Sequence, residues 1–428
     1  MRTYPLDYLV SYAREYSPFY KKLYSHLGDN PRLEELPLID QTEFWQAAER
    51  NEVITGKHTD GQVFKSGGTT GKPKLSLYTA EEWRTMMEVA AFYMPLSGIK
   101  PGDKVVNLFY GGGLYASFLF CHGTFLHSPI DVLQYSLSGN VEIAEMAETI
   151  EKRQINVIAG LPSMIMKILE HLVENNTAGN CRVEAIYSAG ETFYPDQRRK
   201  AREILGDKLD FRSMSYASND AGFMGYYQKS NGTQSVAADK SDDGFNEFRS
   251  SEMFCRLEII DPETGELIRE PGRPGKIYVT SLCKLLMPII RYPSGDMGEF
   301  VEPEGVYDRK FKLLGRSEGE SARVGYVTLY PEDIRRILDS MEIKYDDFQM
   351  VITHENEHDQ LTLRIAALEF SSKNILAELY KERPMLKESV DNGIVHPPVV
   401  EFCTLGDLEY NPRTGKLKRL IDKRLQGN

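Results

Sequence analysis

The segment Ser66-Gly67-Gly68-Thr69-Thr70-Gly71-Lys72-Pro73-Lys74 gathers three glycines, two threonines and two lysines into nine residues. Glycines let backbone N–H groups approach an anion closely, and the hydroxyls and ammonium groups add donors, so the chemistry on offer is phosphate binding. A Walker A loop would run from its lysine into a helix. Here Pro73 and β-type residues follow, so a hairpin loop is expected instead. A second pattern, Phe109-Tyr110-Gly111-Gly112-Gly113-Leu114-Tyr115 with Tyr187 and Ala189, sets aromatics beside glycines and suits a slot for a flat ring. The third, His354-Glu355-Asn356-Glu357-His358, fits HExxH, but zinc chemistry needs both histidines on one face of a helix. Alternating runs flank it, Met350 to Thr353 and Leu361 to Ile365, so these histidines are expected on a polar hairpin turn without zinc.

The elements that must position these groups follow from periodicity. Tyr8 to Leu27 reads as a tyrosine-rich helix forming a small N-terminal cap. From Gly61 to Asp210, β-type runs (Lys104 to Phe109, Ile155 to Ala159) alternate with helical spacing (Glu142 to Arg153, Met164 to Glu174). Strand, helix and strand at such lengths predict βαβ units and a largely parallel sheet. After Glu252 the pattern turns to short antiparallel strands, Phe254 to Ile260 and Lys276 to Thr280 around the Asp261–Glu266 turn. A compact α+β tail with a hairpin from Phe348 to Ala367 follows. The fold expected is α/β, with a large domain over 1–314 and a small mobile α+β domain over 315–428.

With 428 residues, the chain is long enough for two or three cores. A net charge of -12 argues against a nucleic-acid partner, because phosphate backbones need clustered Lys and Arg. No apolar run is long enough for a bilayer, and the N-terminus lacks the apolar stretch of a secretion signal. Five dispersed cysteines without a CxxC pair argue against a zinc ribbon or disulfide framework, so the expected compartment is the reducing cytoplasm.

Together with the Ser66–Lys74 loop, four further stretches resemble, in order, the adenylate-forming superfamily of acyl-CoA synthetases and adenylation domains. They are Ser188-Ala189-Gly190-Glu191, Tyr216-Ala217-Ser218-Asn219-Asp220, Tyr292-Pro293-Ser294-Gly295-Asp296 and Thr414-Gly415-Lys416-Leu417. The opening Tyr16-Ser17-Pro18-Phe19-Tyr20 and Leu36-Pro37-Leu38-Ile39-Asp40 resemble its phenylacetate-CoA ligase branch. The resemblance runs nearly end to end. It implies that Ser66, Gly67, Gly68, Thr69, Thr70, Gly71 and Lys72 hold the β- and γ-phosphates of ATP. Ala189, Gly190 and Glu191 would line the adenine, and Tyr216 would stack on it. Ala217, Ser218 and Asn219 complete that nucleotide-binding turn, and Asp220 takes the Mg²⁺-linked acidic position. Asp296 would accept hydrogen bonds from the ribose hydroxyls. Arg316, in Leu314-Gly315-Arg316-Ser317-Glu318, would contact the nucleotide, with Glu318 as the hinge. Swinging on that hinge, the small domain would withdraw Lys416 and bring Arg323-Val324-Gly325-Tyr326 to a thiol tunnel. The chain departs from the family pattern at Ala217 for Gly, Asn219 for Thr, Asp220 for Glu, and Pro293 for Arg.

The implied reaction joins a carboxylate to AMP from ATP and then passes the acyl group to a thiol. A cation at the α-phosphorus stabilises the charge that develops there, and Lys416 is the candidate, with Mg²⁺ held through Asp220. Tyr110, Gly111, Gly112, Tyr115 and Tyr187 are the expected wall for an aromatic acid. Coenzyme A is the expected thiol, with Arg198-Arg199-Lys200 and Arg202 available to its phosphates. Alternatives are a carrier-protein phosphopantetheine or other protein thiol, and a non-catalytic nucleotide-binding relative. Oligomeric state is open, with a homodimer among the options.

Overall fold

The computed structural model describes residues 1–66, 74–229, 244–316, 321–341, 343–367, 372–410 and 417–424. Five parallel strands form a sheet from Leu133–Ser136, Lys104–Asn107, Val157–Gly160 and Ala185–Ser188 to Asp210–Ser213. The helices Ile143–Lys152, Pro162–Glu174 and Pro195–Leu205 alternate with these strands, the βαβ arrangement expected. The strands Val157–Gly160 and Ala185–Ser188 are buried throughout, as a sheet covered on both faces requires.

A seven-stranded antiparallel sheet follows, built from segments between Tyr216 and Arg316. Its strands Tyr292–Phe300 and Lys310–Arg316 pair so that Asp296 lies opposite Arg316. The second of these strands runs on through 314 and 315, so the chain leaves this sheet only after Arg316. Beyond it, a four-stranded sheet is centred on the Tyr345–Glu355 and His358–Ala367 hairpin, and a separate core reaches from Ala322 to Leu420.

The N-terminal cap is two helices, Leu6–Tyr16 and Pro18–Leu23, rather than one. Ser17 is extended, its Oγ accepts from the Tyr20 N–H, and Pro18 starts the second helix without an N–H to pair, so a new helix begins there. Tyr20 and Tyr24 are fully buried, and the Tyr20 hydroxyl donates to the Pro288 carbonyl at 2.8 Å, tying the cap to the large core.

Candidate active site

Strands Gln62–Ser66 and Lys74–Tyr78 pair in register, Ser66 opposite Lys74, as a hairpin requires. The joining residues Gly67 to Pro73 lie outside the described residues, as do Lys416 and Glu318. What is described converges on Asp220. Its Oδ1 accepts from Ser66 Oγ and Ser76 Oγ, both at 3.0 Å, and its Oδ2 accepts from the Tyr292 hydroxyl at 2.9 Å. Tyr292 in turn accepts from Trp45 Nε1 at 2.8 Å and Gln41 Nε2 at 3.1 Å. The fully buried Lys284 donates to the Asp220 carbonyl at 2.9 Å, and its ammonium lies 3.8 Å from the Tyr78 ring centroid. Tyr78 donates to the Asn219 carbonyl at 2.8 Å, while Asn219 Nδ2 donates to the Lys65 carbonyl at 2.8 Å. Burial pushes Lys284 down to about 8, against the pull of Glu82 and other nearby anions. Both the backbone and the carboxylate of Asp220 are thus held by buried groups.

Asp296 forms a second centre. The Tyr216 hydroxyl donates to Asp296 Oδ2 at 2.8 Å, and Arg316 Nε lies 3.3 Å from Asp296 Oδ1. Ala217 and Ser218 continue the Tyr216–Ser218 strand, and the Ala221 N–H donates to Ser218 Oγ at 3.0 Å. In the turn after Ser188, Gly190 has φ +84°, a conformation that penalises any Cβ. Ala189 precedes it, packed against the parallel-sheet core. The Glu191 carboxylate caps the Pro162–Glu174 helix, accepting from Ser163 N at 3.0 Å and Ser163 Oγ at 2.9 Å. Enclosure raises this carboxyl to about 7, even though the Ser163 bonds and the Arg323 guanidinium pull it down.

The small domain closes one side. Tyr326 lies 5.7 Å from Tyr110 between ring centroids, and the Tyr115 hydroxyl donates to Met385 Sδ at 3.2 Å. Gly111 offers its carbonyl to Asn140 Nδ2 at 3.0 Å, and Gly112 has φ +82°. Tyr187 stands apart from this group. Its hydroxyl donates to the Ser97 carbonyl at 2.8 Å and accepts from Arg212 Nη1 at 3.1 Å. It lines a cavity of about 20 Å³ with Met214, Phe223 and Tyr226, room for a water but not a ring.

Arg323, absent from the site expected for the nucleotide, reaches the interface between the domains with its Nε buried and unpartnered. Burial and the neighbouring Arg316 push its guanidinium down to about 10, against Glu191 and Asp296. Ser188 Oγ is also buried without a partner. The unpartnered Arg323 Nε, on a guanidinium within electrostatic reach of Asp296, fits an absent anionic ligand such as a nucleotide phosphate. The oxygen cluster at Asp220, one carboxylate ringed by hydroxyls, fits Mg²⁺, which takes one or two carboxylates and completes its shell with water and phosphate. Among the described residues no group of three or more His, Cys, Asp or Glu side chains could hold a metal by itself.

The basic helix face is already engaged. Arg198 donates to the Phe193 carbonyl at 2.7 Å, Arg202 to the Leu209 carbonyl at 3.4 Å, and Lys200 pairs with Glu170 and Glu357. Each of these three charges finds an acceptor on a neighbouring segment.

A polar site where a βαβ domain meets a small α+β domain is the arrangement of an adenylate-forming enzyme. The chain belongs to the AMP-binding enzyme family, whose model matches residues 33–286, with the AMP-binding enzyme C-terminal domain matching 326–424. It is 26% identical to a phenylacetate-coenzyme A ligase of Thermus thermophilus, covering 98% of this chain and 95% of that one. Similarity to the phenylacetate-coenzyme A ligase of Aromatoleum evansii is 23%, over 98% and 93% of the two chains. Among solved structures, a 2-hydroxyisobutyryl-CoA ligase with 2-HIB-AMP and CoA in the thioesterification state aligns with a TM-score of 0.70. That alignment has 18% identity and covers 98% of this chain and 88% of that one.

Proposed function

We propose that this protein is an AMP-forming ligase that adenylates an aromatic carboxylic acid and transfers the acyl group to coenzyme A. The observation that carries the reading is the pairing of Tyr216, Asp296 and Arg316 near Arg323, whose Nε is buried and unpartnered. In the first step a carboxylate oxygen of the acid attacks the α-phosphorus of ATP, and pyrophosphate leaves. Asp296 accepts from the ribose hydroxyls, and Tyr216 packs against the base. Asp220 would hold Mg²⁺, which would supply charge neutralisation at the phosphates. The Ser66–Lys72 loop holds the outer phosphates, and Lys416 stabilises the charge at the α-phosphorus. In the second step the thiol sulfur attacks the acyl carbon, and AMP leaves. The Arg323–Tyr326 loop forms part of the thiol path, and Glu318 is the hinge between a large domain that runs through Arg316 and the small domain beyond it.

Tyr110, Gly111, Gly112, Tyr115 and the opposing Tyr326 support a flat substrate. The relatives' names support an arylalkanoic acid and a coenzyme A acceptor. Among the described residues no helix is long and apolar enough to cross a membrane, and the reading places the reaction in the cytoplasm. A pyrophosphate-release screen with ATP and Mg²⁺ tests it. Phenylacetate and other aryl acids should react faster than medium-chain fatty acids, and phenylacetyl transfer should require coenzyme A. An inert aryl panel alongside reactive fatty acids overturns the aromatic reading.

A further inference from the structure

The HExxH segment is a hairpin, and it has a use of its own. Glu355 pairs with His358 and His354 with Asp359, so the two histidines project from opposite faces. His358 turns back to the Ile394 carbonyl at 3.2 Å within the small domain. His354 instead reaches across to the large domain. Its ring stacks on Tyr194 at 3.7 Å between centroids, and only 8% of its side chain is exposed. Its Nδ1 lies 2.9 Å from Asp359 Oδ1, and its Nε2 lies 3.2 Å from Asp196 Oδ2. Carboxylate oxygens only accept, so both ring nitrogens must donate, and only the imidazolium has two N–H donors.

Asp359 passes the connection onward. Its Oδ2 accepts from the Gly325 N–H at 3.0 Å and from Arg424 Nη1 at 2.7 Å, and Arg424 Nη1 also donates to the Arg323 carbonyl at 2.6 Å. The backbone of the Arg323–Tyr326 loop therefore hangs from the same carboxylate that His354 grips. On the other side, Asp196 Oδ2 accepts from the Glu357 N–H at 3.0 Å. Gln197 Nε2 donates to the Glu357 carbonyl at 2.8 Å, and Lys200 pairs with the Glu357 carboxylate. Asn356 and Glu357 have φ of +50° and +70°, the two-residue turn that presents this backbone to the helix.

We infer that His354 is a positioning residue for thiol transfer: as an imidazolium clamped between Asp196 and Asp359, it seats the Arg323–Tyr326 loop over the acid site. The inference rests on the ligase reading for the role of that loop, and on the cross-domain contacts for the clamp itself. Charged groups surround the ring on every side. Asp196 faces it from the Pro195–Leu205 helix, where Lys200 bridges to Glu357 and to Glu170. Asp359 lies on the partner strand, and Arg424 with Asp422 lies behind it. Burial alone would lower the imidazole, but the hydrogen bonds and charges of Asp196 and Asp359 outweigh it and raise the ring above 6.5. The clamp is therefore intact below the usual imidazole range and released as pH rises through that raised value.

The test uses full-length H354Q, K200E, E357K and the K200E/E357K double variant, with phenylacetate, ATP, Mg²⁺ and coenzyme A. Pyrophosphate exchange reads the first half-reaction, and transfer from supplied phenylacetyl-adenylate reads the second. H354Q should slow transfer by roughly tenfold to a hundredfold, as for loss of one charge-assisted hydrogen bond, with exchange within about twofold of the parent. The parent's transfer rate should fall with rising pH where H354Q stays flat, and the double variant should recover transfer that each single charge reversal loses. Equal losses in both half-reactions, or a double variant no better than the singles, overturn the clamp. If phenylacetate does not react with the parent, the ligase reading fails on that acid and the clamp is judged by amide exchange alone. Protection at Gly325 and Glu357, corrected for intrinsic rates, should then drop in H354Q and in the parent at high pH, and unchanged protection overturns it.

Discussion

At the Asp220 carboxylate, Ser66, Ser76 and Tyr292 each supply a hydroxyl that either donates to the carboxylate or turns its lone pair to a cation. That ring of hydroxyls fixes the shorter Asp side chain where the family pattern has Glu. Glu191 is a residue whose charge state depends on the fold. Its carboxyl is raised from 4.5 to about 7 by enclosure. A raised carboxyl contributes stability that is fully present below about 4.5 and is lost as pH climbs through about 7. Thermal melts of the parent and of Glu191→Gln should show the parent losing roughly a few degrees of Tm more than the variant between pH 5 and pH 8. Parallel melting curves across that window would place the Glu191 carboxyl in its ordinary range.

The Ala80–Tyr93 helix shows how one element serves the site without touching substrate. Glu82 closes a capping box with Thr79, its Oε2 accepting from Thr79 N at 2.8 Å. Its Oε1 accepts from the N–H groups of Leu285 at 2.7 Å and Leu286 at 2.9 Å. The helix start is thereby fastened to the strand exit that carries Lys284, and through it to the Asp220 carbonyl. Glu82→Ala leaves three backbone donors without their acceptor and should cost about 3–5 kcal/mol in chemical denaturation. Glu82→Gln keeps one acceptor oxygen and should lose less. A neutral Glu82→Ala would mean that water replaces the carboxylate at all three amides.

Across the whole molecule, the proposed function draws its two half-reactions from different parts of the small domain. On that proposal Lys416 serves adenylation, whereas the Arg323–Tyr326 loop, with Tyr326 against Tyr110, serves transfer. Lys416→Ala should therefore cut pyrophosphate release by roughly two to four orders of magnitude, the scale of a lost transition-state charge. ATP binding should survive, since Asp296 and the Ser66–Lys72 loop are intact, and transfer from supplied acyl-adenylate should stay nearly unchanged. Equal slowing of both halves would make the lysine structural.

The sequence by itself determined the βαβ alternation, the antiparallel strands after Glu252 and the family, because periodicity and ordered glycine-rich turns are local and survive without knowledge of packing. The motifs that carry Tyr216, Asp220, Asp296 and Arg316 were visible for the same reason, each being short and local. Only the tertiary structure decided that Tyr216 grips Asp296, that Tyr292 and Lys284 hold Asp220, and that Arg323 is left with a buried, unpaired nitrogen. Those partners lie 64 to 80 residues apart in the chain, where no spacing rule reaches. Tyr187 illustrates the converse: an aromatic beside a motif looks like substrate wall, yet alternation along a buried strand turned it towards Ser97 and Arg212. The HExxH histidines were legible as a hairpin from their alternating flanks, but that one of them grips another domain depends on a docking geometry that exists only when both cores are formed.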